Sequence, residues 1–301
     1  MEMRQALCEC LDEMMAENEN IVVIDADLAK PNGTFPLRKK YPERAIDVGI
    51  AEQNMASVAA GMSSYGFIPF ITSFTPFASR RICDQIAISI AYAKQNVKII
   101  GSDPGISAEF NGGTHMSMED IGVLRSIPEL VIYEPVDVAQ FKQALPQIVA
   151  YEGPVYIRMF RKTIDDVFTD ANYKFDLFGA DCIQEGTAVT IFCSGIMVQE
   201  TMKANEILKQ EGIDAEIINI HTIKPIDRDA VVASAKKTGA VVVAENHNVI
   251  GGLTSAVCEV LMEEYPVPLR AVGVKDRFGQ VGKMPFLKEE YHMTAKDIVS
   301  A

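Results

Sequence analysis

The segment Asp47–Met55 contains the residue whose surroundings most clearly indicate chemistry, the carboxyl group of Glu52. Small and apolar residues precede Glu52, and an Ala/Ser/Gly-rich stretch that we expect to be helical follows it. Burial among apolar neighbours disfavours the charged form of a carboxyl group, so Glu52 could share a proton with a nitrogen of a heterocycle. A glutamate just before a helix can also simply stabilise the positive end of the helix dipole. The spacing alone does not decide between these two roles.

A second group of candidates lies in turns and loops. Phe74 and Phe77 are three residues apart on a turn that enters a helix, which fits either an aromatic slot for a flat ligand or two core side chains. His115 follows Asn111-Gly-Gly-Thr, a flexible stretch that can bring a side chain close to a ligand, although a lone loop histidine can equally be a surface residue. Asp27 ends the first expected strand, where an aspartate can also cap a helix or a turn.

Short β-branched runs alternate with longer helical patterns, which predicts parallel sheets covered by helices on both faces. A polar stretch interrupts the alternation, after which it restarts. We therefore expect an α/β protein with two doubly wound, three-layer domains: a first domain over residues 1–165, a linker over 166–183 and a smaller domain over 184–301. Within the first domain, Pro76–Ala93 is expected to be one helix.

The composition argues against several classes of partner. A net charge of −13 argues against nucleic acid and anionic membrane surfaces. No apolar run is long enough to span a membrane, and the first residues lack the pattern of a secretory signal. Six scattered cysteines without a Cys-x-x-Cys pair indicate reduced thiols and predict a cytoplasmic location. No residues show metal-ligand spacing, so we expect no metal site within this chain.

Motifs along nearly the whole chain resemble those of the transketolase family. In chain order they are Asp25-Ala-Asp27-Leu-Ala, Gly49–Met55, Gly66–Phe77, Gly112-Gly-Thr-His115, Leu124–Pro128, Gly153–Arg158, Ile223–Asp227 and Glu245-Asn-His-Asn followed by Gly251-Gly-Leu. The resemblance covers the pyrimidine-binding and C-terminal domains of the family, and it implies that the chain works with thiamine diphosphate.

The resemblance also implies roles for individual residues. Glu52 would hydrogen-bond the aminopyrimidine of thiamine diphosphate and so help to form the carbanion of the cofactor, whose chemistry the protein positions and tunes. Phe74 and Phe77 would flank the aminopyrimidine, and Asp27 would lie near the cofactor. His115 would contact carbonyl or hydroxyl oxygens of a sugar during proton transfer.

Arg161 resembles the family arginine that grips the substrate phosphate, and Arg158 is a second candidate for this role, although either could be a surface charge at the end of a strand. Three positions depart from the family pattern. Asp103 lies in a loop where many transketolases have a histidine, Asn111 lies where an acidic pair is usual, and Arg80 lies where an aromatic residue is common. Asp103 and Asn111 are assigned to substrate binding by position, and the identity of the sugar stays open.

Magnesium prefers octahedral coordination by carboxylate, water and phosphate oxygens, and thiamine enzymes usually supply it from a Gly-Asp-Gly segment. The sequence contains no Gly-Asp-Gly. The resemblance therefore implies the B subunit of a split transketolase, with the diphosphate and Mg²⁺ held by a separate A subunit in an A2B2 assembly. The reaction expected is transfer of a two-carbon ketol unit from a ketose phosphate, or a modified ketose, to an aldose. The small-residue face of Met55–Ser64 would suit contact between B subunits.

Three alternatives remain open from the sequence. The chain could resemble the β subunit of a 2-oxoacid dehydrogenase, or the corresponding part of a deoxyxylulose-phosphate synthase. It could also be a catalytically silent subunit that keeps the fold as a scaffold. Gly112-Gly-Thr-His115 and the spacing of Phe74 and Phe77 favour transketolase, and the retention of Glu52 argues against a silent subunit.

Overall fold

The computed structural model describes all residues from Met1 to Ala301 and divides the chain into two compact units. The first unit consists of residues 1–104 and 123–177, and the second consists of residues 105–122 and 178–301. Each unit is an α/β domain with a largely parallel sheet, so the expected fold class is confirmed.

The strands of the first unit are β1 (Ile21–Asp25), β2 (Ala45–Asp47), β3 (Ile68–Phe74), β4 (Lys98–Ser102), β5 (Val131–Tyr133) and β6 (Val155–Met159). They run parallel in the order β5-β6-β4-β3-β1-β2. Strands β1, β4 and β6 are buried along their whole length, as expected for the centre of a sheet with both faces covered. Phe74 pairs with Ser102, and Ser102 pairs with Met159. The carboxyl ends of β3, β4 and β6 therefore meet at one edge of the sheet.

The helices up to residue 150 are α1 (Met3–Glu17), α2 (Ala29–Asn32), α3 (Phe35–Lys40), α4 (Glu52–Ser63), α5 (Asp120–Arg125) and α6 (Val138–Ala150). Leu7 and Leu11 of α1 belong to the same buried core as Phe141 and Leu145 of α6. Asp137 is the N-cap of α6, because its side chain accepts a hydrogen bond from the N–H of Gln140 at 2.8 Å.

The prediction of one helix over Pro76–Ala93 is wrong. Ser79 has a non-helical backbone (φ −129°, ψ −91°), which breaks the expected helix. A 3₁₀ turn follows over Arg80–Ile82, and a π-helix covers Gln85–Tyr92. The break lies between the two phenylalanines and Arg81, and it thereby sets where the Arg81 side chain points.

The strands of the second unit are β7 (Asp181–Gln184), β8 (Val189–Cys193), β9 (Ala215–Asn219), β10 (Thr222–Lys224), β11 (Val241–Asn248) and β12 (Leu269–Val274). Its sheet has the order β12-β11-β8-β9-β7, in which only β7 is antiparallel. The helices are α7 (Met197–Gln210), α8 (Arg228–Thr238), α9 (Leu253–Glu264), α10 (Met284–Glu290) and α11 (Ala295–Ser300), and Gly105–Asn111 forms 3₁₀ turns. None of the helices of the protein combines the length and apolar character needed to cross a membrane.

The boundaries of the two units differ from those of the expected domains, 1–165 and 184–301, and of the expected linker, 166–183. The C-terminal part of the expected linker packs with the first unit, because Phe175 and Leu177 are buried in its core. The side-chain amide of Gln147 also donates to the carbonyl of Phe175 at 2.6 Å. In addition, residues 105–122 leave the first unit and pack with the second.

Candidate cofactor and substrate site

Glu52 is the first residue of α4 and is almost fully buried, with a relative exposure of 4%. The turn that delivers it contains Gly49, whose φ of 75° favours glycine. The N–H of Gly49 donates to Asp47 Oδ1 at 2.8 Å, which ties the turn to the end of β2. A carboxylate buried to this extent requires a polar partner.

Arg81 is that partner. Its Nη1 donates to Glu52 Oε1 at 2.7 Å, and its Cζ lies 3.8 Å from the centre of the Phe77 ring. The guanidinium is therefore stacked on an aromatic ring and hydrogen-bonded to a buried carboxylate at the same time. Sequence reasoning missed Arg81 and singled out its exposed neighbour Arg80 instead. No signal in the sequence identified Arg81, because the backbone break at Ser79 that orients its side chain is not marked by the residues around it.

Phe77 connects this pair to the carboxyl edge of the sheet. The rings of Phe74 and Phe77 lie 6.3 Å apart at an angle of 48°. Arg161, which follows β6, lies with its Cζ 5.0 Å from the centre of the Phe74 ring. The first unit thus brings Glu52, both phenylalanines and Arg161 into one continuous row.

Asp103 extends the row, because it forms an ion pair with Arg161 Nε. The two residues meet because they follow neighbouring strands, β4 and β6, at the same edge. Asp103 has a left-handed backbone (φ 54°), and its N–H donates to the carbonyl of Met159 at 3.0 Å. Burial raises the pKa of Asp103, despite the nearby charges of Arg161 and Lys162.

Arg158 lies inside β6, and its side chain is not accessible to a ligand. Its side chain is fully buried and forms an ion pair with Glu134 at 2.5 Å, and the Glu134 side chain is 3% exposed. A buried, paired arginine fits a structural role, which weakens its candidacy as a substrate contact.

Asp27 follows β1 in a left-handed conformation (φ 61°) with an exposed side chain. Its N–H donates to Asp47 Oδ1 at 3.0 Å. The neighbouring Asp25 is buried and accepts hydrogen bonds from the hydroxyls of Thr34 and Thr72 at 2.8 and 2.7 Å. Burial raises the pKa of Asp25. Asp25 therefore organises the loop after β1, and Asp27 is the accessible carboxylate of that loop.

Asn111 and His115 belong to the segment 105–122, which packs with the second unit. Asn111 is exposed and His115 is partly buried, with Nδ1 2.9 Å from the hydroxyl of Thr114. A Cβ atom on Gly113 would lie 2.5 Å from the carbonyl oxygen of Gly279. The glycine is therefore needed for the close backbone approach that holds the segment in place.

The motif around Glu245 supports this segment. Asn246 Oδ1 accepts a hydrogen bond from the N–H of Ile106 at 3.0 Å. Glu245 is fully buried and accepts the N–H groups of Leu253 and Thr254 at 2.7 and 3.0 Å, which caps the start of α9. The motif thus positions backbone within the second unit.

Two family models match the chain. The model described as "Transketolase, pyrimidine binding domain" matches residues 1–165, and the model described as "Transketolase, C-terminal domain" matches residues 179–298. The chain belongs to the transketolase family. Its first unit, which holds Glu52, lies almost entirely within the pyrimidine-binding match.

Relatives and solved structures give the same family. The chain is 53% identical over 299 residues to "6-deoxy-6-sulfo-D-fructose transketolase subunit SqwH" of Clostridium sp. (strain MSTE9), covering 99% of this chain and 92% of that protein. It is 38% identical to a "Putative transketolase C-terminal section" of Methanocaldococcus jannaschii, covering 98% and 93%. A solved structure titled "Split gene transketolase, inactive beta4 tetramer" superposes with a TM-score of 0.90 at 42% identity, covering 100% and 96%. The transketolase of Leishmania mexicana shares the fold, with a TM-score of 0.81 at 20% identity over 44% of that chain.

Proposed function

We propose that this chain is the B subunit of a split transketolase and transfers a two-carbon ketol unit from a ketose to an aldose by means of thiamine diphosphate. The observation that carries the proposal is the buried carboxylate of Glu52, which the Arg81 guanidinium joins to the Phe77 ring, in a domain that matches the pyrimidine-binding model. This pairing of a carboxyl group with an aromatic face suits a flat heterocycle that carries a ring nitrogen.

The residues fit the aminopyrimidine half of thiamine diphosphate. The planar guanidinium of Arg81 already makes both contacts that the heterocycle would need: it stacks on Phe77 and donates a hydrogen bond to Glu52. When bound, thiamine diphosphate supplies the carbanion that carries the two-carbon unit. In this role Glu52 holds a proton at the ring nitrogen, and Phe77 with Phe74 packs against the ring and keeps water away. Asp27 would face the cofactor from the loop after β1.

Arg161 is proposed to bind the anionic end of the sugar. A guanidinium offers five N–H donors, of which Nε faces Asp103 and Nη1 donates to the carbonyl of Pro31 at 3.3 Å. Asp103 holds the guanidinium in one orientation from its buried position. His115 would contact the sugar's carbonyl and hydroxyl oxygens, and Asn111 would supply a neutral contact in the same segment.

The diphosphate and Mg²⁺ are proposed to bind to a separate A subunit, because this sequence has no Gly-Asp-Gly segment. We propose an A2B2 assembly in which α4 contributes to contact between B subunits. The exposed residues Ser57 and Gly61 on α4, and Ser64 just after its end, follow one another at helical spacing, which leaves room for close approach of a second helix. We also propose a cytoplasmic location, on the basis of six scattered cysteines that would stay reduced there.

The ketose donor that we propose to test first is 6-deoxy-6-sulfo-D-fructose. The support is the 53% identity to a subunit named for that substrate. A sulfonate is an anion with three acceptor oxygens, which a guanidinium can bind through several N–H groups, as it binds a phosphate. Ordinary ketose phosphates are the competing donors in the same assay.

The chain is also 32% identical to "1-deoxy-D-xylulose-5-phosphate synthase" of Heliobacterium modesticaldum, over 98% of this chain but 45% of that protein. This likeness makes a synthase-type reaction the second candidate. Consumption of pyruvate with glyceraldehyde phosphate by the reconstituted complex, without ketol transfer, would favour it over transketolase.

The experiment that tests the assignment of Glu52 uses the complex with the A subunit and the substitution Glu52→Gln. We expect ketol transfer to fall by about 10²–10⁴-fold, the range for loss of a proton-transfer group, while the complex still assembles. Size-exclusion chromatography verifies assembly, and Lys142→Met serves as control because it removes a half-exposed ion pair with Glu9 elsewhere in the same unit. Normal turnover by the Glu52→Gln complex would show that Glu52 is not catalytic.

A further inference from the structure

We propose that Arg81 is a latch on the aminopyrimidine site: its guanidinium occupies the place of the aminopyrimidine in the cofactor-free subunit and must leave when thiamine diphosphate binds. The inference rests on the proposed function, because it concerns the same carboxylate. It adds a competing group within the chain that sets how tightly the cofactor binds.

The geometry supports direct competition. The Arg81 guanidinium lies 3.8 Å from the centre of the Phe77 ring and donates to Glu52 Oε1 at 2.7 Å. A heterocycle stacked on the same face of Phe77 and bonded to the same oxygen would overlap the guanidinium. Only one of the two groups can hold both contacts.

The chemistry of the carboxyl group leads to the same conclusion. The proposed role of Glu52 requires it to share a proton with a ring nitrogen. In the observed pair, Glu52 Oε1 accepts a hydrogen bond from Arg81, which carries a permanent charge and never takes a proton from the carboxyl group. The paired state is therefore a resting state, and release of Arg81 precedes the proton-sharing state.

Release of the side chain is feasible because the two partners differ in exposure. The Arg81 side chain is 42% exposed, whereas the Glu52 side chain is 5% exposed. The backbone of Arg81 is held in place, since its N–H donates to the carbonyl of Pro76 at 3.3 Å and its carbonyl accepts from Gln53 Nε2 at 3.4 Å. The flexible side chain can thus swing into water while Glu52 and the turn stay fixed.

The test is a double-mutant cycle on cofactor affinity in the complex with the A subunit. Thiamine diphosphate is titrated at saturating Mg²⁺ by calorimetry into the wild type, Arg81→Met, Glu52→Gln and the double variant. We expect Arg81→Met to bind about three- to tenfold more tightly, the size expected for loss of one half-exposed ion pair with its ring contact. In the Glu52→Gln background the gain from Arg81→Met should be at least twofold smaller, because the ion pair is already absent.

Arg81→Gln is a second variant with the same expectation, in case the methionine variant does not fold. Lys142→Met, which removes a charge from the ion pair with Glu9, should leave the affinity unchanged. Wild-type binding with equal or weaker binding by both Arg81 variants would overturn the latch and leave the proposed function intact. Absence of binding by every complex, including the wild type, would instead overturn the proposed function.

Discussion

We predict that the buried side chain of Lys98 makes the stability of the first unit depend on pH. It begins β4, and its side chain is fully buried. The ammonium group donates to the carbonyls of Tyr151 and Gly153 at 2.8 Å each, and no carboxylate pairs with it. Burial lowers the pKa of Lys98 from 10.5 to about 7.

The direction in which stability changes with pH follows from the protons bound by the folded and unfolded chains. Between pH 7 and pH 10.5 the unfolded chain holds a proton on Lys98 that the folded chain has partly released, so stability rises with pH in this window. The whole difference corresponds to about 5 kcal/mol at about 1.4 kcal/mol per pH unit. Between pH 7 and pH 9 the contribution of Lys98 to the free energy of unfolding should become more favourable by about 2 kcal/mol.

The assay compares the wild type with Lys98→Met by urea unfolding at pH 7 and pH 9. Tyrosine fluorescence is a suitable signal, because the chain has no tryptophan and most of its tyrosines belong to the first unit. Lys98→Met isolates the effect of this residue, because the two proteins share all other titrating groups, whose contributions cancel when the two pH dependences are subtracted. The same pH dependence in both proteins would refute the assignment of a lowered pKa to Lys98.

Two further predictions concern polar groups that hold the first unit together. Glu134→Gln should lower the free energy of unfolding by about 3–5 kcal/mol, because it leaves the fully buried Arg158 without its carboxylate; urea unfolding measures this, and a loss below about 1 kcal/mol would contradict it. Asp137→Ala should lower the free energy of unfolding by about 3 kcal/mol. Asp137 caps α6, and its Oδ2 accepts hydrogen bonds from the N–H groups of Val167 and Phe168 at 2.7 Å each. Amide hydrogen exchange at Val167 and Phe168 should accelerate in that variant, and unchanged protection there would contradict the role.

Much of the fold could be predicted from local patterns. Buried β-branched runs such as Ile21–Ile24 identify parallel strands, since both faces of such a strand are covered. Strand β7 was missed because none of its four residues is buried and three of them lie in the stretch taken for a linker. The segment 105–122 was assigned by contiguity to the first domain, whereas backbone contacts such as that of Gly113 with Gly279 join it to distant sequence.

The residues of the row were only partly indicated by the sequence. The family resemblance indicated Glu52, Phe74 and Phe77, and the structure places the two rings and the arginine-bound carboxylate in one row. The partner of Glu52 could not be inferred, because the break at Ser79 that orients Arg81 leaves no clear mark in the sequence. Burial of Arg158 was likewise hidden, since its partner Glu134 comes from a different strand end.

The central claim is that this chain forms only half of a thiamine diphosphate site. The most direct measurement is a titration with thiamine diphosphate and Mg²⁺ of this chain alone, of the A subunit alone and of the mixture of the two. We predict saturable binding with a defined stoichiometry in the mixture and at least a hundredfold weaker binding by either chain alone. Equally tight binding by this chain without its partner would contradict the split site, and a stable complex that binds no cofactor would contradict the thiamine assignment.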